Sequence, residues 1–322
     1  MLCLGIETTA HTFGIGIVRD EDILSNEKDV FTTESGGMIP NEVAEHHRKV
    51  CDEVLKRSLE KANVKLEDID LISFSQGPGL DPALIAGRDF ALKLKEQTGK
   101  DLIGVNHCIA HLEIGKLTGA KDPVLLYASG ANTQIIAYEG GKYRIFGETL
   151  DMGIGNMLDS FGRTLGMGFP GGPKIAEFAE KGKELIELPY SVKGMDVAFG
   201  GILTNVRQKL EKGMSKEDLC FSLQETVFAM LVEVAERAMA HTGKQELLLG
   251  GGVGCNSRLQ EMCRIMCEER GAKCFIPENQ FLVDNAAMMA FLGIIEYNAG
   301  VRTTDFDIKP HWRTDQVEVI WK

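Results

Sequence analysis

The stretch 2-LCLGIETTAHTFGIGIV-18 consists of two apolar runs separated by a turn of small and polar residues. A second stretch, 124-VLLYASGANTQIIAY-138, repeats the pattern with SGANT at the turn. Short apolar runs bounded by turn residues predict β-strands, so each stretch predicts a β-hairpin. Because the pattern occurs twice, we expect an internal duplication.

Each predicted hairpin is followed later in the chain by a strand, a glycine turn and a helix, at residues 69–94 and again at 246–268. Strands that alternate with helices predict an α/β protein. We place the first domain at residues 1–122 and 295–322, and the second at 123–294. The second domain is longer, because a glycine-rich helical insertion occupies roughly residues 151–215.

Two α/β halves that each open with such a hairpin resemble the actin, hexokinase and Hsp70 superfamily. This resemblance implies a duplicated actin-like ATPase fold of two domains with a cleft between them, in which the hairpin turns hold nucleotide phosphates. The layout alone does not specify the chemistry. The sequence contains no GxxxxGK[ST], and 250-GGGVGCN-256 does not match GxGxxG, so a P-loop ATPase and a Rossmann dehydrogenase are both disfavoured.

The composition, 44% hydrophobic and 25% charged residues, is typical of a globular protein. The sequence lacks a signal-peptide pattern and an apolar run long enough for a membrane span, so we expect a cytoplasmic protein without membrane attachment. The net charge of −12 disfavours autonomous binding to nucleic acid, since phosphate contacts need clustered lysine and arginine. A nucleic-acid substrate would therefore need a local basic patch or a basic partner.

The segment 106-NHCIAHLE-113 places His107 and His111 on one face of a predicted helix, where their ring nitrogens can converge on one ion. Two ligands are too few for a tight site, so a carboxylate or a phenolate must complete it. Asp284 and Tyr127 are the candidates. The alternatives are a helix N-cap for Asp284 and a core aromatic for Tyr127, and the residues alone favour these structural roles over a four-ligand metal site.

Other polar residues leave the same choice open. Asp159 and Glu177 are candidates for contacts with a ribose, or ordinary carboxylates on a helix surface. His46 and His47 are expected to be solvated. Among the glycine turns, 129-SGANT-133 offers backbone N–H groups at a strand reversal, an arrangement that receives anionic oxygens.

Eight motifs taken together resemble the universal tRNA threonylcarbamoyladenosine transferase family, in its archaeal and eukaryotic branch, whose members were formerly called glycoproteases. The resemblance covers essentially the whole chain. The motifs are GIETTAHTFGIGIV at 5–18, GGMIPNEVAEHH at 36–47, QGPGL at 76–80, NHCIAHLE at 106–113, SGANTQ at 129–134, FPGGPK at 169–174, GGGVGCN at 250–256 and DNAAMMA at 284–290.

The resemblance implies an acyl transfer to tRNA. Members of the family pass the threonylcarbamoyl group of L-threonylcarbamoyl-adenylate to N6 of adenosine 37 in tRNAs that read ANN codons, and AMP is released. It implies partners in a KEOPS-type complex, including a small kinase-like ATPase and a small dimerising subunit. Such basic partners would supply the tRNA contacts that a charge of −12 denies to the chain alone.

The resemblance also implies site residues. It places the metal, iron first and zinc second, on His107, His111, Tyr127 and Asp284. The bound nucleotide would be threonylcarbamoyl-adenylate, ATP or AMP. Its contacts map onto Tyr127, Ala128, Ser129, Gly130, Ala131, Asn132, Asp159, Gly172 and Asn256. The two histidines, Glu7 and His11 are the candidate catalytic residues, and either Glu7 or His11 would take the proton of the adenine amine.

The chain departs from the family pattern at two positions. The family usually has a glutamate four residues beyond the second glycine of GGP, whereas this chain has Ala176 there and Glu177 one residue later, so Glu177 takes its place as the candidate for the ribose contact. The opening motif has Thr8 where glycine is common, which affects the expected shape of the first turn.

Three other functions are consistent with parts of the sequence. An ATP-dependent small-molecule kinase of the same superfamily would need no metal-bound histidines, and a non-catalytic scaffold would bind nucleotide without transfer. A metalloprotease is the least favoured, because HxxxH lacks the interposed glutamate of HExxH and Glu113 falls off the face of the two histidines.

Overall fold

The structure is a computed structural model that describes residues 1–33 and 38–322. Gly36 and Gly37 of the motif at 36–47 lie outside the described residues. The strands are β1 (Leu2–Glu7), β2 (Thr12–Arg19), β3 (Asp22–Val30), β4 (Leu71–Gly77), β5 (Asp101–Asn106), β6 (Val124–Ala128), β7 (Thr133–Glu139), β8 (Lys142–Glu148), β9 (Val192–Lys193), β10 (Asp196–Val197), β11 (Glu246–Gly250) and β12 (Lys273–Phe275). The helices are α1 (Pro40–Ala62), α2 (Asp81–Thr98), α3 (His107–Ile114), α4 (Ile154–Thr164), α5 (Gly172–Ala179), α6 (Gly200–Glu211), α7 (Lys216–Thr242), α8 (Ser257–Glu269), α9 (Asn279–Leu282) and α10 (Ala286–Asn298).

The chain divides into two compact units. The first comprises Met1–Thr32, Met38–Leu117 and Asp284–Lys322, and the second comprises Thr33 and Thr118–Val283 among the described residues. The return to the first unit thus comes at Asp284, whereas the sequence placed it at residue 295. The physical reason is α10, which packs on β1, β2 and β4 of the first unit.

The two units contain sheets of the same topology. The first sheet has the order β3-β2-β1-β4-β5, and the second has the order β8-β7-β6-β11-β12. In each, the hairpin strands pair antiparallel and the later strands pair parallel to the first hairpin strand. The predicted duplication is therefore confirmed, and both hairpins form where the sequence placed them.

The local sequence explains these elements. All six residues of β1 are buried, as expected for a central strand covered on both faces, whereas the polar β3 is the edge strand. Helix α2 has a proline in its first turn and ends at Gly99, whose φ of +67° terminates the helix. None of the helices in the described ranges is both long and apolar enough to cross a membrane.

Helix α10 lies directly on the hairpin of the first unit. A Cβ at Gly5 would come within 2.2 Å of the carbonyl oxygen of Ala286, and one at Gly16 within 2.4 Å of the amide nitrogen of Ala287. Only glycine permits so close an approach of two backbones. The glycines of the first hairpin therefore position the start of α10, which follows Asp284.

Helix α1 corrects one expectation. His47 is fully buried rather than solvated, and its ring lies 5.7 Å from that of Phe13. The ring donates a hydrogen bond from Nε2 to the carbonyl oxygen of Ala10 at 2.9 Å. Burial is the main reason that the pKa of His47 falls to about 4, and the hydrogen bond to Ala10 opposes it. The histidine is part of the packing between α1 and β2.

Candidate metal centre and nucleotide-binding turns

The two histidines of the metal candidate begin α3. Asn106, the last residue of β5, accepts hydrogen bonds from the backbone N–H of Cys108 at 3.0 Å and of Ile109 at 3.2 Å, which starts the helix at His107. One helical turn later comes His111, and the two ring centroids are 4.8 Å apart. Both histidines are buried, so the spacing brings them together as predicted.

Asp284 lies against this pair. Its Oδ1 is 3.4 Å from Nε2 of His107 and 3.7 Å from Nε2 of His111. The sequence alternative of a helix N-cap for Asp284 is wrong, because the cap of α10 is Asn285, whose side chain accepts from the N–H of Met288. Asp284 is thereby left to interact with the histidines.

Glu7 approaches His107 from the other ring nitrogen. Nδ1 of His107 donates to Oε2 of Glu7 at 3.1 Å, while Oε1 accepts from the backbone N–H of Thr9 at 2.7 Å and from its hydroxyl. Glu7 is fully buried. A carboxylate on one ring nitrogen fixes the ring and its tautomer, so Nε2 faces Asp284. Glu7 thus orients a histidine.

The charges of this group depend on one another. Burial raises the pKa of Asp284, but the hydrogen bonds from the two histidines outweigh it and hold that pKa well below its usual range. Burial lowers the pKa of His107, but the carboxylates of Glu7 and Asp284 hold it well above the usual range. Burial lowers the pKa of His111. The half-buried His11 also acts on Asp284, whose pKa it lowers.

These side chains can hold a metal ion. The ligand atoms of His107, His111 and Asp284 all lie within 4.8 Å of one another, and they are the one such group of histidines, cysteines and acids in the described part of the chain. Two imidazoles and a carboxylate suit zinc and iron. Tyr127 belongs to the second unit, on β6, and is 1% exposed, so its role as a ligand stays a prediction.

Glu113 has a structural role. It is fully buried, pairs with Lys116 one turn later and accepts a hydrogen bond from Nε1 of Trp321 at 3.1 Å. The glutamate that follows the two histidines is therefore engaged with Lys116 and Trp321.

The second hairpin turn is held by its own side chains. Oγ of Ser129 donates to the carbonyl oxygen of Asn132 at 2.9 Å and accepts from its N–H at 3.2 Å. The backbone N–H groups of Gly130 and Ala131 have no hydrogen-bond partner among the described residues, and both residues are exposed. Two such groups side by side suit an anionic oxygen.

Glycines absent from the predicted site shape this turn. A Cβ at Gly153 would come within 2.2 Å of the carbonyl oxygen of Gly130, and one at Gly155 within 2.7 Å of its Cα. A Cβ at Gly251, whose φ is +85°, would come within 2.3 Å of the carbonyl oxygen of Ala128. The signals in the sequence were the repeated glycines of 153-GIG-155 and 250-GGG-252.

The remaining predicted nucleotide contacts occupy the second unit. Asp159 accepts from the N–H of Gly171 at 2.7 Å, which holds the loop before Gly172, the first residue of α5. Asn256 caps α8 and donates to Oε1 of Gln224 at 2.8 Å. Glu177 is exposed on α5 and pairs with Lys181 at 3.0 Å.

The first turn accommodates Thr8 through α2. The N–H of Thr8 donates to Oγ of Ser75 at 3.0 Å, and its side chain fills the space beside Gly87, where a Cβ would come within 2.0 Å of Oγ1. Thr8 is fully buried. The departure from the family pattern at this position is therefore matched by a glycine on the neighbouring helix.

Comparison with solved structures supports the fold. HypF of T. kodakarensis matches 95% of this chain over 49% of its own, with a TM-score of 0.65 at 15% identity. At that identity the likeness concerns the fold alone, and it confirms the predicted duplicated actin-like α/β class.

Comparison with sequences shows the family. A model described as "TsaD: tRNA N6-adenosine threonylcarbamoyltransferase" matches residues 21–291. The tRNA N6-adenosine threonylcarbamoyltransferase of Thermococcus kodakarensis is 56% identical over 324 residues, which covers 100% of both chains. A "Probable bifunctional tRNA threonylcarbamoyladenosine biosynthesis protein" of Thermoplasma acidophilum is 48% identical over 100% of this chain and 61% of that protein. The chain belongs to the tRNA N6-adenosine threonylcarbamoyltransferase family.

Proposed function

We propose that this chain transfers the threonylcarbamoyl group of L-threonylcarbamoyl-adenylate to N6 of adenosine 37 in tRNAs that read ANN codons. The amine nitrogen forms a bond to the carbamoyl carbon, the bond from that carbon to the phosphate oxygen breaks, and AMP leaves. The observation that carries this proposal is 56% identity over the full length of a named transferase. The kinase and scaffold alternatives have no comparable support.

The donor set of the first unit fits a metal ion, because three buried or half-buried ligand atoms of suitable chemistry lie within 4.8 Å of one another. We assign His107, His111 and Asp284 as ligands, with Tyr127 as the fourth. Iron is the metal we expect, with zinc as the alternative. Bound there, such an ion supplies a Lewis acid for a carbamoyl or phosphate oxygen.

The chain's own residues position the reactants. Glu7 holds the ring of His107 through its Nδ1 hydrogen. The N–H groups of Gly130 and Ala131 receive anionic oxygens of the donor. The remaining nucleotide contacts come from Asp159, Gly172 and Asn256, which support the loops beside the nucleotide. Glu177 is the candidate for the contact with the ribose.

The proton of the adenine amine goes to His11 in this scheme. Both carboxylate oxygens of Glu7 already accept hydrogen bonds from Thr9 and His107, so Glu7 is a poor acceptor. His11 is half-buried and close enough to Asp284 to act on its charge. A histidine ring nitrogen can accept a proton from a reacting group, which is the role of a general base.

Partners belong to the same proposal. The relative from Thermoplasma acidophilum is named as bifunctional, and this chain spans 61% of it. We therefore propose assembly in the cytoplasm with KEOPS-type subunits, among them a small kinase-like ATPase and a small dimerising subunit.

The test is a reconstituted reaction with threonylcarbamoyl-adenylate, tRNA and candidate partners, in which nucleosides are identified by mass spectrometry. Wild-type protein should yield threonylcarbamoyl-adenosine, and His107→Ala and His111→Ala should each lose at least about 100-fold in rate. His46→Ala is the control, since His46 pairs with Asp29 at 2.8 Å and is not one of the candidate metal ligands. Full activity of the double variant would refute the role of the histidines.

A further inference from the structure

A cavity of about 360 Å³ lies in the first unit, and none of the three candidate metal ligands lines it. The chain after α10 forms one wall by packing against the last residues of β4 and β5. The N–H of Lys309 donates to the carbonyl oxygen of Gln76 at 2.8 Å, and the N–H of Gly104 donates to Oγ1 of Thr303 at 3.0 Å. The cavity has the size of a site for a small ligand or one long side chain.

The floor of the cavity contains a carboxyl group without a partner. Glu296, in the last turn of α10, lines the cavity and is 3% exposed. Among the residues that the structure describes, the side chain of Glu296 takes part in no hydrogen bond or ion pair. A carboxyl group that is 3% exposed, lines a cavity and lacks a protein partner is well placed to pair with a ligand there.

The electrostatic surroundings agree with that geometry. Burial, and then the neighbouring carboxylate of Glu113, raise the pKa of Glu296 to about 8, while Lys309 opposes the rise. Glu113 is already paired with Lys116 and with Trp321. The group that lacks compensation is therefore Glu296.

The charges at the mouth cancel one another. Arg302 and Lys309 are exposed cations that line the cavity, and Asp305 and Glu318 are exposed anions that line it too. The guanidinium of Arg302 stacks on the ring of Tyr297 at 3.6 Å. With the mouth neutral, ionisation of Glu296 adds one uncompensated negative charge to the cavity, and a bound cation would favour that ionised form.

The walls are apolar and aromatic. Val301, Val317, Ile320 and Trp321 contribute to them, and Nζ of Lys309 lies 4.4 Å from the ring centroid of Trp312. Indole faces attract cations, and aliphatic walls accept an apolar stem. A charged end at the floor and an apolar stem along the walls would satisfy both surfaces.

We propose that this cavity binds a monocationic amine or guanidine on an apolar stem, whose charged end pairs with Glu296. Two sources share that chemistry: a free small amine, and a lysine or arginine side chain of a partner. None of the candidate metal ligands or nucleotide contacts lines the cavity, so we expect its ligand to be neither donor nor acceptor in acyl transfer.

Tryptophan fluorescence tests the proposal on the full chain. Trp312 and Trp321 are the chain's only tryptophans, and both line the cavity, so a change in their emission reports on this site. Butylguanidinium and a blocked Gly-Arg-Gly peptide are titrated, with neutral butylurea as a control of the same length. Saturable changes with the cations and none with butylurea are expected. Tighter binding of butylguanidinium indicates a free amine as the source, and tighter binding of the peptide indicates a partner's side chain.

The variant Glu296→Gln preserves the shape of the side chain and removes its charge. The affinity of this variant for whichever of the two cationic ligands binds wild-type protein more tightly should fall at least about tenfold, because a charged hydrogen bond is lost. Glu318→Gln, an exposed acid of the same cavity, is the matched control and should change affinity far less. Circular dichroism checks the fold, and if Glu296→Gln fails to fold, butylguanidinium against butylurea on wild-type protein decides. Equal binding of butylurea, equal affinity of the folded variant, or no saturable change with either cation overturns the proposal.

Discussion

The ring of His107 is held between two carboxylates, Glu7 on Nδ1 and Asp284 on the side of Nε2. A histidine with a carboxylate on its outer nitrogen is a stronger and better oriented metal ligand. Glu7 is therefore a positioning residue whose effect should be measurable without any assay of transfer.

We predict that Glu7→Gln lowers the affinity for iron or zinc about tenfold or more, in competition with a chromogenic chelator. Asp29→Asn is the control, because Asp29 likewise pairs with a histidine, His46, but at 2.8 Å on the surface. Wild-type metal affinity in Glu7→Gln, with the fold intact, would show that Glu7 does not support the ligand.

Gly251 allows a second prediction about a single residue. Its φ is +85°, and a Cβ there would lie 2.3 Å from the carbonyl oxygen of Ala128. Gly243, at the end of α7, has a similar φ of +69° but no atom within 4 Å of an added Cβ. Replacing either by alanine incurs a conformational cost of about 1 kcal/mol, and only Gly251→Ala adds a backbone clash.

We expect Gly251→Ala to reduce the free energy of unfolding, from urea denaturation, by at least about 1 kcal/mol more than Gly243→Ala does. The clash also displaces the turn at Ser129, so binding of the adenylate should weaken in Gly251→Ala alone. Equal free energies of unfolding for the two variants would mean that the backbone near Ala128 moves to accommodate the added Cβ without loss of stability.

The individual site residues differed in how far the sequence could predict them. Spacing alone placed His107 and His111 on one helical face. It could not separate Asp284 from Asn285, since both precede a helix and either suits a cap. Choosing between them needs the packing of α10 on β1, which is a contact between residues far apart in sequence.

Helix α10 extends from the candidate metal site to the cavity lined by Glu296. It begins two residues after Asp284 and carries Glu296 in its last turn. It is buried along most of its length, so it has no polar face from which a sequence pattern could assign a side. For that reason the sequence predicted the helix but assigned its residues up to 294 to the second domain, whereas the two hairpins were predicted correctly.

Glu296 makes the stability of this helix depend on pH. The ordinary pKa is 4.5, and in the folded protein burial and Glu113 raise it to about 8, with Lys309 opposing. The folded state therefore binds the proton more tightly than the unfolded chain, and its contribution is present in full below pH 4.5 and is lost as pH rises through 8.

We predict that Glu296→Gln is more stable than wild type at pH 9, by at least about 1.4 kcal/mol, the equivalent of one pKa unit. The difference should shrink as pH falls towards 5. Chemical denaturation at several pH values measures it. A difference that does not change with pH would mean that the carboxyl titrates normally and has a partner.

The net charge of the whole molecule disfavours binding to tRNA, because the chain has 35 lysines and arginines against 47 acidic residues. Phosphate contacts are the main source of affinity for nucleic acid, and each one needs a cation that displaces counterions. A net charge of −12 therefore predicts that catalytic residues alone do not confer binding.

We predict that the isolated chain binds tRNA more weakly than about 1 μM at physiological salt, and that binding tightens at least about tenfold when a basic partner is added. Filter binding between 50 and 200 mM salt measures both, and the partner should steepen the dependence on salt, because more phosphates are then contacted. Partner alone, with the same tRNA, is the control. Tight binding by the isolated chain that persists at the higher salt would contradict this dependence on a partner. It would mean that a local cluster of cations on the chain itself contacts the phosphates in spite of the negative net charge.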